Sequence, residues 1–148
     1  MKGYTHRVVW HSAMSIEAKR LLADQLLGRF VPASRLLKLT YWPGDYAYEG
    51  NPYCAASTYG VRRLERFACS RKSLDPGMEQ LVCPVTEETA RVMMAYEHDH
   101  HGHILPYFHL ELYGPKGERM LYSGDFGDDL LVHAGSADLP ELQCIKFG

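Results

Sequence analysis

The stretch Met120–Gly135, MLYSGDFGDDLLVHAG, decides the fold, because it supports two local readings. As a helix it carries Gly124 and Gly127 inside, each costing about 1 kcal/mol relative to alanine. As a β-hairpin it continues a ladder that starts at His109–Tyr113 and turns at Gly114–Gly117. That ladder then runs through Arg119–Tyr122, turns at the Gly-Asp residues and returns along Leu130–Val132. The aspartates favour turns and helix starts alike, so they do not separate the two.

Working outward, Thr86–Glu97 reads as a helix: Thr86 caps it, and Glu87 and Glu88 suit its positive end. Ser15–Phe30 reads the same way, with Ser15 as cap, an apolar face of Ile16, Leu22, Leu26, Leu27 and Phe30, and Pro32 as the stop. Arg7–Trp10, Ser34–Trp42 and Gln80–Val85 suit strands. Pro43-Gly44-Asp45 marks a turn, after which Tyr46 and Tyr48 alternate as on a returning strand. Val61–Cys69 fits either period and is read as a strand, turned by Asp75-Pro76-Gly77 towards Gln80–Val85. Ile104–Tyr113 is expected to be extended. These elements predict one α+β domain over residues 1–148, with a mainly antiparallel sheet and two or three helices.

The 148 residues suit a single domain, and a net charge of −2 lacks the basic excess of a nucleic-acid binder. The patch Arg62, Arg63, Arg66, Arg71 and Lys72 reads as a solvated face or as a dock for an acidic partner. Cys54, Cys69, Cys83 and Cys144 have no C-x-x-C spacing, so a reduced, cytoplasmic setting is expected. No segment approaches the roughly 20 apolar residues that span a bilayer.

Three constellations carry chemistry. Glu97-His98-Asp99-His100-His101-Gly102-His103 holds imidazoles and carboxylates suited to zinc, nickel or copper, with His98, His101 and His103 as candidate ligands. The plainer reading is an exposed helix end, and no cofactor is required. Tyr41, Trp42, Tyr46, Tyr48 and Tyr53 lie in the densest aromatic region. Such side chains serve sheet packing or a protein-contact surface. His109 lies on an expected strand, downstream of Cys54 in Asn51-Pro52-Tyr53-Cys54.

Ser34-Arg35-Leu36-Leu37, Tyr59-Gly60-Val61-Arg62, Pro84-Val85-Thr86-Glu87-Glu88 and Tyr122-Ser123-Gly124-Asp125-Phe126 occur in this order, with Ala134-Gly135 after them. In that order the chain resembles the circularly permuted NlpC-type papain-like fold, a group related to lecithin retinol acyltransferase-like proteins. The resemblance implies a nucleophile at the start of a helix at position 123 and a base at position 35. Ser123 and Arg35 stand there instead of cysteine and histidine. A guanidinium cannot take a proton from a nucleophile, and an alcohol without a base is hardly ionised. The resemblance therefore implies lost chemistry and a non-catalytic module that binds another protein, of inhibitor or immunity type. A second reading follows the unpermuted papain-like order: a cysteine-dependent amidase, acyl hydrolase or acyltransferase using Cys54 and His109. There Glu111, Ser123 or Asp125 would orient the imidazole. A metal-binding protein built on the histidine cluster is the third.

Overall fold

A computed structural model describes residues 3–42, 64–74, 77–96, 102–133 and 144–146. In chain order its elements are β1 (His6–Val8), α1 (Ile16–Ala33), β2 (Leu36–Tyr41), β3 (Ser70–Leu74), β4 (Met78–Pro84), α2 (Glu87–Met94), β5 (His109–Tyr113), β6 (Arg119–Gly124), β7 (Asp129–Val132) and β8 (Cys144–Lys146). The strands form one sheet in the order β3-β4-β2-β5-β6-β7-β1-β8. Every pairing in it is antiparallel. The fold is α+β and mostly sheet.

The deciding stretch is the hairpin. β6 and β7 pair through Leu121–Val132, Tyr122–Leu131, Ser123–Leu130 and Gly124–Asp129. Leu121, Ser123, Leu130 and Val132 are buried while Tyr122 and Leu131 are only half-buried. A strand gives this period of two; a helix would put Leu121 and Ser123 on different faces. The helix that the resemblance implies at Ser123 is thus replaced by a strand.

Alternation divides the sheet. Leu37, Leu39 and Tyr41 of β2, Leu81 and Cys83 of β4, Leu110 and Leu112 of β5, and Leu130 and Val132 of β7 share one buried core with Ala23, Leu26, Leu27, Phe30 and Val31 of α1 and Val92 and Met93 of α2. Each fully buried leucine there contributes about 1.5–3 kcal/mol. Ser15 Oγ caps α1 by accepting from the Ala18 N–H, and Thr86 Oγ1 caps α2 by accepting from Thr89 N–H, both at 3.1 Å. The helices are tied together where the Tyr96 hydroxyl donates to Asp24, and Tyr107 donates to the Met93 carbonyl at 2.8 Å.

The opposite face of the sheet bears Lys38, Thr40, His109, Glu111, Tyr113, Tyr122 and Leu131, all half-buried, with Arg7 and Arg119 exposed. Between β5 and β6 the register shifts from Leu112–Leu121 to Tyr113–Arg119, which makes Met120 an extra, bulged residue.

Several boundaries differ from the sequence reading; α2 ends at Met94, short of the expected Glu97, and β4 spans Met78–Pro84 in place of Gln80–Val85. Helix α1 runs to Ala33, with Pro32 inside its last turn, where proline removes a single intrahelical bond and its fixed φ still fits. The first strand ends at Val8, before Trp10. Leu64 and Glu65 are helical, and the strand opposite β4 begins later, at Ser70, so the described part of the expected strand, Leu64–Cys69, is not that strand. Only His109–Tyr113 of the expected extended segment is a strand. Before it, Ile104, Leu105, Pro106 and Tyr107 are all buried, which a period of two does not allow. Among the described residues no helix is long and apolar enough to cross a membrane.

Candidate functional site

Between β6 and β7 the backbone does something unusual. Asp125 and Phe126 have φ of 49° and 55°, and Gly127 follows at 92°. Phe126 (ψ 35°) and Gly127 form the centre of a turn closed by the Asp128 N–H to the Asp125 carbonyl at 3.2 Å. Left-handed backbone costs a non-glycine residue roughly 1–2 kcal/mol, so two in succession must be held from outside.

The surrounding chain does so. The Phe126 N–H donates to the Phe108 carbonyl at 3.1 Å, and the Phe126 carbonyl accepts from Leu105 N–H at 2.8 Å. Trp10 Nε1–H donates to the Gly127 carbonyl at 3.0 Å. The Phe126 ring stacks flat on His103, with centroids 3.9 Å apart and planes 6° apart, and meets Phe108 edge-on at 5.3 Å. In turn, Arg20 Nε fixes the segment by donating to the His103 carbonyl at 2.8 Å.

From this turn a continuous ribbon of rings crosses to the outer sheet face. Phe108 also meets Trp42 at 6.4 Å and His109 at 4.8 Å; His109 meets Tyr122 at 5.5 Å, and Tyr122 meets Tyr4 at 6.3 Å. These separations fall where aromatic pairs attract, each adding about 0.5–1.5 kcal/mol beyond its buried area. Phe126 is buried; the other six rings are partly exposed.

Gly124 makes one link possible. A Cβ there would sit 2.5 Å from the Tyr122 hydroxyl, so the bare backbone lets the phenol lie across it. The hydroxyl then meets His109 Nε2 at 2.8 Å. His109 Nδ1 is buried with no hydrogen-bond partner among the described residues. Whichever nitrogen carries the ring proton, one polar position of the imidazole has no partner among the described residues.

Along the same face, Tyr113 donates to Glu111 at 2.5 Å, and Lys38 lies 5.3 Å over the Tyr113 ring. Arg7 pairs with Asp129 at 3.7 Å. Burial first, and Glu111 next, push the Tyr4 phenol up to about 12. Burial, then Asp129 and Glu111, raise Tyr122; burial and the bond to Glu111 raise Tyr113. Each phenol is held neutral in the fold above its ordinary value. Their stabilisation is therefore complete below pH 10 and is lost as pH rises beyond it, through about 12 for Tyr4. The urea midpoint is expected to be flat from pH 7 to 9 and to fall steeply above 10; an unchanged midpoint at pH 11 contradicts this packing.

The structure separates the sequence candidates. Arg35 is exposed just before β2, its N–H donating to the Tyr113 carbonyl at 2.7 Å. Ser123 is fully buried opposite Leu110, which pairs with Leu39 on its other side. Four residues along the strands and two strand spacings across put positions 35 and 123 roughly 16 Å apart. They share no cleft, so the pairing that the resemblance implies is not present. Nor can Ser123 orient His109, because the two point to opposite faces of the sheet. Glu111 is engaged by Tyr113.

The Ser123 hydroxyl has no hydrogen-bond partner among the described residues. A buried hydroxyl without a partner costs about 1–3 kcal/mol. Ser123→Ala is therefore expected to raise stability by about 1 kcal/mol in urea unfolding. A loss of stability would show that the hydroxyl is bonded.

Of the aromatic contact candidates, Tyr41 is only 3% exposed. It shares the inward parity of Leu37 and Leu39, and its hydroxyl donates to Glu79 at 2.8 Å, beside Glu65 and Arg71. Tyr41 is a core residue and not a contact residue. Trp42, the next residue, belongs to the ribbon. Tyr46, Tyr48, Tyr53 and Cys54 lie outside the described residues, as do His98 and His101. Of the metal candidates only His103 is described, and it is the ring stacked on Phe126. Among the described residues no three His, Cys, Asp or Glu side chains are grouped to hold a metal ion.

Sequence reasoning passed over Tyr4, Phe108, Tyr122 and Phe126. Phe108 and His109 are neighbours, and Tyr122 faces outward by the parity of Leu121. An F-H step opposite a Y-S-G-D-F run in one hairpin was the available signal. No family model matches the chain, and comparison with curated proteins and with solved structures finds no match.

Proposed function

We propose that this chain is a non-catalytic protein-binding module that docks through the aromatic ribbon, acting on its partner by occupation, as an inhibitor or immunity-type protein does. The observation that supports it is the ribbon itself: seven rings in unbroken contact, six of them partly exposed, held in place by a turn that keeps two residues in strained conformations. Tyrosine, tryptophan and histidine combine apolar area with a polar tip and lose little rotamer freedom on binding. Strain retained in a fold is explained more readily by a surface that must keep one shape than by stability alone.

The chemistry around His109 argues the same way. A general base needs its second ring nitrogen oriented by a hydrogen-bond partner. Here Nε2 meets a tyrosine hydroxyl and Nδ1 meets nothing among the described residues.

Trp42→Ala removes the partly exposed ring that branches from Phe108, at modest cost to the fold. Wild-type and variant proteins, immobilised separately, are compared for what they retain from the source cell's extract, with Leu21→Ala on the exposed side of α1 as control. The reading expects a stoichiometric protein retained by wild type and by the control and lost, about 100-fold in affinity, by Trp42→Ala. Equal retention by all three overturns it, as does turnover of amide or thioester substrates by the wild type.

A further inference from the structure

We draw no further inference here: the strongest candidate, the sheet edge at β3, where Ser70–Leu74 pairs with β4 alone among the described residues, carries nothing, because Glu65 and Glu79 already answer Arg71 and nothing in the structure shows what covers that edge.

Discussion

Gly127→Ala is expected to lower folding stability by about 2–4 kcal/mol, among the largest losses from any single methyl group added to this chain. Two costs add. At φ 92° alanine is strained where glycine is not, by roughly 1–2 kcal/mol. The new Cβ would also lie 3.1 Å from Ile104 Cβ and 3.2 Å from Leu105 Cγ. Both are buried, on the segment that bonds to the Phe126 backbone, so neither can withdraw freely. Urea unfolding measures the loss, and a change below about 0.5 kcal/mol would mean that the turn does not have this shape.

Phe126 should show an inverted preference. Phe126→Ala removes a buried ring that touches His103 and Phe108 and is expected to cost about 3 kcal/mol. At ordinary positions glycine is worse than alanine by 0.5–1 kcal/mol or so. Here φ is 55°, and Phe126→Gly releases strain that Phe126→Ala retains. The glycine variant is therefore expected to be more stable than the alanine variant by about 1 kcal/mol. Alanine above glycine in urea midpoint would contradict the left-handed assignment.

Much of the fold was legible because it rests on local chemistry. Ser15 and Thr86 cap the helices they announced. Glycine and aspartate punctuate the β6–β7 hairpin, and parity along Leu121, Ser123, Leu130 and Val132 marks its buried face. What failed was set by tertiary packing. The start of β3 at Ser70 depends on pairing with Val82, not on its own exposed residues. The burial of Ile104–Tyr107 follows from the core they fill, and no period announces it. The bulge at Met120 is invisible without its partner strand.

The site was less legible than the fold, for the same reason. Trp42 and Tyr41 were singled out together as contact candidates; Trp42 is a partly exposed ring beside Phe108, while the parity of Tyr41 with Leu37 and Leu39 sends it inward. Ser123 and Arg35 drew notice through a resemblance in sequence order, and the sheet then put one in the core and the other in solvent. The ribbon joins residues 4, 42, 103, 108, 109, 122 and 126. No window of sequence contains it, because segments on or beside four strands (β1, β2, β5 and β6) and a strained turn are needed to bring the rings together.

The most direct measurement is photo-cross-linking in the source cells from a benzophenone side chain introduced at Trp42, with the same group at Leu21 as reference. Position 42 lies on the ribbon, and Leu21 is 59% exposed on α1 and is not one of its rings. The account predicts one discrete protein adduct from position 42 and none from position 21. Adducts from position 21 alone, or the same pattern from both, would contradict the assignment of the ribbon as the docking surface.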